Sequence, residues 1–145
     1  MSTQIGKEMD TRAGELLGEI RAKVASQTIK ELTPLGVKIE FNGEGQFAGG
    51  KLNSRHLETT SMFQKPDGTF EWEAKAMEAT MDGEMAVFNG KGTGKNTGPS
   101  TIWGEGDGIY MTRSPGLAWL NGLRVRVEVT GDRVTRDYSI KVRTM

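Results

Sequence analysis

The sequence predicts an all-β protein, a small antiparallel meander β-barrel of about eight strands with a short N-terminal helix. Three observations carry this prediction: glycines at every second position in three segments, turn signals at short intervals, and apolar residues that alternate with charged ones near the C-terminus. At 145 residues the chain has the length of one domain, so 1–145 is assigned to a single barrel.

The period-two glycines are Gly43 and Gly45, then Gly90, Gly92 and Gly94, and finally Gly104, Gly106 and Gly108. Side chains alternate between the two faces of a strand, so each run leaves one face bare. Glycine weakens a strand and occurs inside a sheet mainly where the sheet bends sharply or where another group approaches closely. A small sheet that closes on itself needs such positions, and the runs therefore favour a barrel.

The N-terminal third fits two structural patterns. Apolar residues from Ile5 to Val24 recur with helical spacing, whereas 20–28 also alternates like a strand. Gly14 and Gly18 each cost a helix interior about 1 kcal/mol relative to alanine. We therefore expect the helix to be short.

We place this helix over 3–16 and a first strand over 19–32; if the helix instead runs to Leu32, seven strands remain.

Glycine-containing turn dipeptides divide the rest of the chain into hairpin arms. The turns are at Gly49-Gly50, Pro66-Asp67-Gly68, Asp82-Gly83, Gly98-Pro99, Asn121-Gly122 and Gly131-Asp132. The strands that they bound are 37–48, 54–64, 69–80, 84–94 and 100–113.

The last two strands form the clearest hairpin. Valines alternate with charged residues over 123–130, and after the Gly131-Asp132 turn an apolar face continues to the C-terminus. The members of that face are Val134, Arg136, Tyr138, Ile140 and Val142. Before this hairpin, 114–122 predicts one helical turn, whose Trp119 and leucines are expected to cap one mouth of the barrel.

Composition excludes several classes of function. Cysteine does not occur, which rules out disulfides and thiolate chemistry and fits a reducing compartment. The formal net charge is zero, and neither an apolar leader nor a membrane-spanning run is found. We expect a cytoplasmic protein that takes neither nucleic acid nor membrane as partner.

Metal and nucleotide sites are also disfavoured. The single histidine excludes a histidine cluster, so no metal site is predicted. The glycine-rich segment 90–95 lacks the spacing and the following helix of a phosphate loop, and no cofactor is expected.

Candidate catalytic residues come from two strands. His56 shares a strand face with Glu58, and a histidine beside a carboxylate suits general base catalysis, although a hydrogen-bonded structural histidine is the ordinary interpretation. Glu105 and Asp107 share a face with Trp103. If that face looks inward, burial raises the pKa of the two carboxyl groups and makes them catalytic candidates; if it looks outward, they are solvated surface charges.

Candidate ligand-binding residues lie on the later strands. Arg136 and Tyr138 are predicted on the apolar face of the final strand. An inward arginine there needs a carboxylate or a ligand anion as its partner. Alternatively, Arg136 sits at the rim of the barrel and its guanidinium reaches water. Trp72, Trp103 and Tyr110 belong to an aromatic and methionine-rich set that either packs over the glycines or lines a ligand cavity.

Three segments of the C-terminal half carry a resemblance to a known group. They are Asp82-Gly83-Glu84-Met85-Ala86, Gly90-Lys91-Gly92-Thr93-Gly94-Lys95 and Leu117-Ala118-Trp119-Leu120-Asn121. The pattern resembles small prokaryotic β-barrel proteins of uncharacterised function. The architecture is similar to calycin-like and allene-oxide-cyclase-like barrels, which implies binding or conversion of an apolar small molecule inside the barrel.

Three hypotheses follow. The first is binding of an apolar or amphipathic small molecule in the lumen. The second is a cyclase or isomerase that acts on such a molecule by acid–base catalysis. The third is a non-enzymatic structural protein that forms a homo-oligomer, with the amphipathic segment 5–17 as the subunit interface.

Overall fold

The computed structural model describes residues 14–145, which form a closed antiparallel β-barrel of eight strands in meander order. The strands are β1 (Leu16–Thr33), β2 (Gly36–Ala48), β3 (Ser54–Gln64), β4 (Thr69–Ala79), β5 (Met85–Asn96), β6 (Thr101–Thr112), β7 (Arg124–Asp132) and β8 (Asp137–Thr144). Each strand pairs with the next, and β8 returns to β1. The predicted fold class is confirmed.

The first strand settles the choice between helix and strand for the N-terminal third. β1 pairs with β2 on one side and with β8 on the other. Three register shifts absorb its irregularities, two against β2 at Val24/Ser26 and Ile29/Glu31 and one against β8 at Leu16/Gly18. Closing the barrel pairs β1 with β8 up to Lys23 and with β2 from Glu19 onward, and this pairing outweighs the helical spacing of its apolar residues. The alternative of a helix to Leu32 is wrong, and the helix predicted over 3–16 lies almost wholly outside the described residues.

One end of the barrel is closed by apolar side chains. The meander brings the β2–β3, β4–β5 and β6–β7 connections to the same end, together with the start of β1 and the end of β8. Four buried leucines occupy this end: Leu17, Leu52, Leu117 and Leu120. We call this end the floor and the opposite end the mouth.

A 3-10 helix over Pro115–Leu120 forms part of the floor, as the sequence predicts. Leu117 and Leu120 are buried, whereas Trp119 is 42% exposed and its ring lies 5.8 Å from the Lys51 Nζ atom. The leucines therefore cap the barrel, and the expected capping by Trp119 is wrong. None of the helices in the described part of the chain has the length and hydropathy that a membrane crossing requires.

The paired strands β5 and β6 form a wall that carries no inward side chains along most of its height. Three glycine pairs face each other across it: Gly90 with Gly108, Gly92 with Gly106, and Gly94 with Gly104. We call these six residues the glycine wall. The rings of Phe70, Trp72 and Phe88 lie against it so closely that a Cβ atom built on Gly106 would meet Trp72 Cζ2 at 2.5 Å.

The final hairpin turns later than the sequence predicts. β7 continues to Asp132, whose Oδ1 atom accepts hydrogen bonds from the backbone N–H groups of Val134 at 2.8 Å and Thr135 at 3.3 Å. Arg136 takes a left-handed conformation with φ 67°. Val134 and Arg136 therefore lie in an exposed turn at the mouth, and their predicted place on the same strand face as Tyr138 is wrong.

Gly106→Ala should lower the free energy of unfolding by about 2 kcal/mol, because its Cβ atom would meet the backbone oxygen of Lys91 at 2.2 Å as well as the Trp72 ring. The matched control is Gly104→Ala in the same strand, whose Cβ atom would meet nothing closer than 3.2 Å. We expect the control to lose less than about 1 kcal/mol. Equal losses in urea denaturation of the two variants would contradict the role given to the glycine wall.

Candidate functional site

Above the floor, the barrel contains a cavity of about 400 Å³. Its wall is mainly apolar, and turn residues at the mouth, including Asp132, Arg133 and Arg136, form its rim. Cavities of roughly 300–1,000 Å³ with apolar walls and few polar groups are typical of small-molecule sites. The lumen is therefore the candidate site.

One strand carries a column of polar side chains into this lumen. On β3 the inward positions nearest the floor are Ser54, His56, Glu58 and Thr60, and all four are buried. Strand alternation puts them on one face, so the short spacing in the sequence becomes a continuous polar surface. The neighbouring strand β4 adds Glu78, which pairs directly with His56 in the antiparallel register.

His56 lies between two carboxyl groups. Its Nε2 atom is 2.7 Å from Glu58 Oε1, and its Nδ1 atom is hydrogen-bonded to Glu78 Oε2. His56 and Glu78 are 2% and 0% exposed. Both imidazole nitrogens are therefore engaged, as in a doubly protonated ring that donates to two carboxylates.

Hydroxyl groups also donate hydrogen bonds to both carboxyl groups. Ser54 donates to Glu78 Oε1 at 2.7 Å, Thr60 donates to Glu58 Oε2 at 2.5 Å, and Tyr138 donates to Glu58 Oε1 at 2.8 Å. Buried polar groups are stable only when they are paired in this way. We call the six residues Ser54, His56, Glu58, Thr60, Glu78 and Tyr138 the polar cluster.

Tyr138 on β8 reaches Glu58 on β3 because the β2 residue paired with Glu58 is Gly43, which has no side chain. A Cβ atom at Gly43 would lie 1.8 Å from the Tyr138 hydroxyl oxygen, so any side chain there would displace the phenol. The edge of the Tyr138 ring packs on Phe41 at a centroid distance of 5.9 Å. One of the period-two glycines thus serves the polar cluster directly.

The contacts of the cluster set its protonation. Burial by itself lowers the pKa of His56, but hydrogen bonds to Glu58 and Glu78 and their negative charges outweigh burial and raise this pKa to about 9. Burial raises the pKa of Glu58, yet the hydrogen bond and charge of His56, with the hydroxyl donors, hold it below its ordinary value. At neutral pH an imidazolium therefore lies beside an ionised Glu58.

Two tyrosines line the same region. Burial, followed by the charge of Glu58, raises the pKa of Tyr138, and burial with the charges of both glutamates raises the pKa of Tyr110. Both phenols therefore stay protonated at neutral pH. Tyr110 packs against Phe88 at a centroid distance of 5.1 Å and closes the lower wall of the lumen.

The structure places three of the predicted site residues outside the barrel. The glycine face of β6 looks inward, so Glu105 and Asp107 are exposed and Trp103 lies on the outer surface. Asp107 lies 3.7 Å from Arg126, and the Trp103 indole donates to Glu128 at 3.0 Å. Of the two alternatives for this strand face, the outward one is observed, and the inward one, on which the catalytic roles of Glu105 and Asp107 depend, is wrong. The bare face of β6 is the one that neighbouring aromatic rings cover from inside.

The other predicted residues border the lumen at different heights. His56, Tyr138 and Tyr110 lie in its lower part, Trp72 lies on the wall, and Arg136 lies at the rim. Arg136 is exposed, which matches the alternative in which it sits at the rim and reaches water.

The sequence interpretation missed three members of the polar cluster: the hydroxyl residues Ser54 and Thr60 and the carboxyl residue Glu78. Of these, Glu78 could have been found. Its signal is a carboxyl group at the end of the alternating face of Phe70, Trp72, Ala74 and Ala76. A charged residue on an otherwise apolar strand face requires a buried partner. In residues 14–145, no group of three or more histidine, aspartate or glutamate side chains has the arrangement of a metal site.

No family model and no curated protein matches this chain. Its fold is similar to that of a conserved protein of unknown function from Rhodopseudomonas palustris, with a TM-score of 0.75, 16% identity, and coverage of 90% of this chain and 95% of that chain. A β-barrel like protein from Acinetobacter baumannii is also similar, with a TM-score of 0.76, 16% identity, and coverage of 90% of this chain and 93% of that chain.

An enzyme from Penicillium herquei is also similar, with a TM-score of 0.60, 17% identity, and coverage of 88% of this chain and 92% of that chain. At these identities the similarity shows the fold alone. The predicted resemblance to small barrel proteins of uncharacterised function is confirmed at that level.

The free energy of unfolding should fall as the pH rises from about 6.5 through about 9. The folded state holds the His56 proton more tightly than the unfolded chain does. The stabilisation that this proton provides is complete below the unfolded pKa of 6.5 and is lost above the folded pKa of about 9. The shift corresponds to about 3 kcal/mol at most.

Urea denaturation between about pH 6 and about pH 10 measures this loss, with His56→Gln as the comparison. We expect the difference in stability between wild type and variant to shrink across this interval. Parallel curves would show that His56 does not take up its extra proton on folding.

Proposed function

We propose that this protein binds a mainly apolar small molecule in the lumen of the barrel. The observation that carries the proposal is the cavity of about 400 Å³, which is apolar over most of its wall and polar at a defined cluster near the floor and at the rim. Burial of apolar ligand surface supplies about 25 cal/mol per Å², and the few polar groups fix orientation.

The distribution of the core supports a ligand site over a purely structural barrel. The buried leucines concentrate at the floor, and the rings of Phe70, Trp72 and Phe88 lie along the glycine wall, so the lumen stays open between them. A structural or oligomeric barrel has no need of an open interior. The resemblance to calycin-like and allene-oxide-cyclase-like barrels points the same way.

The rim fits the polar end of an amphipathic ligand. Arg133 donates to the Gln64 side chain, and neither Arg133 nor Arg136 takes part in an ion pair among residues 14–145. A ligand whose apolar part fills the lumen would bring its polar end to this rim. The arginines contact that end while they remain in water.

Ala76→Phe should weaken binding of the neutral fluorescent probe N-phenyl-1-naphthylamine by about tenfold or more, because a phenyl ring at this position occupies the lumen opposite Glu58. Lys75→Phe is the matched control, since it adds the same side chain to the adjacent, outward position. We expect the control to bind the probe like the wild type. Equal affinities in all three proteins would place the probe outside the lumen and contradict the proposal.

Acid–base catalysis is the second candidate, and the polar cluster is the observation that favours it. A carboxylate, an imidazolium and a phenol hydroxyl joined by hydrogen bonds on a lumen wall provide an acceptor and a donor for protons. Such a set suits an isomerase or cyclase, in which Glu58 removes a proton from one atom of the substrate and the cluster returns a proton to another. One of the similar folds belongs to an enzyme, which supports catalysis in a barrel of this shape.

Deuterium exchange tests this second candidate without a known substrate. The wild type should accelerate incorporation of deuterium from D₂O into the methyl group of 2-acetylnaphthalene, and Glu58→Gln should reduce the enzymatic rate by about 100-fold. Glu105→Gln is the control, because Glu105 lies on the outer surface. If wild type and Glu58→Gln exchange at the same rate, Glu58 is not the base.

A further inference from the structure

The hydroxyl groups of the polar cluster donate their protons within the cluster. Ser54 donates to Glu78, whereas Thr60 and Tyr138 donate to Glu58. A hydroxyl group has a single proton to donate, and each of the three is directed at a carboxylate oxygen. These side chains therefore have no proton left for a molecule in the lumen.

His56 follows the same rule in either charge state. As an imidazolium it donates one N–H to Glu58 and the other to Glu78. A neutral ring would accept at one nitrogen, and the carboxyl group there would have to carry the proton and donate it to the ring. Both arrangements keep the proton inside the cluster, so the cluster offers the lumen no free hydrogen-bond donor.

Acceptor sites remain on the cluster residues that line the cavity. A carboxylate has about four lone-pair sites, and three of those on Glu58 are filled. The hydroxyl oxygens of Thr60 and Tyr138 keep lone pairs after they have donated. Glu58 is 8% exposed and borders the cavity together with Thr60 and the half-buried Tyr138, whereas Glu78 is 0% exposed and does not border it. A molecule in the lumen therefore meets acceptors on this cluster.

The charge of the cluster favours the same kind of partner. Two carboxylates and one imidazolium leave an excess of negative charge at the lower end of the lumen. Among the described residues that line the cavity, the arginines Arg133 and Arg136 lie at the rim. An anionic group beside Glu58 would be repelled without a cation to pair with it. A hydroxyl group or an ammonium group is not subject to this repulsion.

We propose that the ligand carries a hydrogen-bond donor, a hydroxyl group or a protonated amine, at the end that lies deepest in the lumen, and that this group donates to Glu58. This inference rests on the proposed lumen binding and names the class of molecule. The rest of the ligand is apolar and packs on the wall above the cluster.

Three probes of nearly the same shape test the inference: 2-naphthalenemethanol, 2-naphthalenemethylamine and 2-ethylnaphthalene, which carry a hydroxyl, an ammonium and a methyl group at one position. Glu58→Gln should weaken binding of the alcohol and the amine about tenfold or more, because the amide keeps neither the charge nor the second acceptor oxygen. Binding of the hydrocarbon should change less than about twofold. Isothermal titration calorimetry measures the affinities, and Glu105→Gln on the outer surface is the control that should change none of them.

The response of the two donor probes identifies the donor. A loss for both supports the inference for either group. A loss for the alcohol alone assigns a hydroxyl group to the ligand, and a loss for the amine alone assigns an ammonium group.

The other outcomes separate this inference from the proposal on which it rests. If Glu58→Gln weakens all three probes equally, or none of them, the donor inference is overturned and lumen binding stands. Tyr110 carries a further hydroxyl group on the cavity wall. If Tyr110→Phe weakens the alcohol and Glu58→Gln does not, the alcohol acts as an acceptor, which also overturns the inference. If the wild type binds none of the probes, lumen binding is overturned, and this inference with it.

A second measurement uses the wild type and does not depend on folding of a variant. His56 is the only histidine, so ¹⁵N-histidine labelling reports on its imidazole N–H groups alone. The alcohol should move an imidazole N–H signal, because Glu58 then shares its charge with a further donor and accepts more weakly from His56 Nε2. The hydrocarbon should leave the signals in place. Imidazole signals that respond identically to both probes would overturn the inference.

Discussion

The glycine wall is the constraint on which the rest of the structure depends. An eight-stranded barrel is ordinarily just wide enough for its own side chains to fill. Here six glycines on β5 and β6 face inward in three opposed pairs, and aromatic rings from β4 and β5 lie against them. The rings occupy the space next to the wall, and the centre of the barrel is left as a cavity.

Other strands of the barrel carry the polar groups that a cavity alone would not provide. β3 points Ser54, His56, Glu58 and Thr60 inward, and β4 and β8 add Glu78 and Tyr138. Burying such groups is favourable only because each finds a partner, and the cluster is consequently rigid. A rigid polar cluster below an apolar lumen can orient a ligand in one direction.

The strands could be predicted from the sequence because their pattern is local, whereas the inward face of β6 could not. Glycine alternation marks a bare face but does not say which side of the sheet it faces, and Trp103 leaves the choice open, because a large aromatic residue can fill a lumen or cover the outside of a barrel. On the outer surface Trp103 instead contacts Glu128 and lies 5.9 Å from Lys95 Nζ. The site shows the same limit: His56 and Glu58 are two residues apart and visible as a pair, but only the register of β3 against β4 brings Glu78 to His56.

A charged histidine is buried between two carboxyl groups at the lower end of the lumen. His56 is the only histidine in the chain, so its imidazole carbon-bound protons give a single set of signals that NMR can follow during a pH titration without assignment. We predict a midpoint near pH 9, because the two glutamates stabilise the imidazolium. A midpoint at or below the ordinary value of 6.5 would contradict it, because it would show that the buried carboxyl groups do not hold the ring in its charged form.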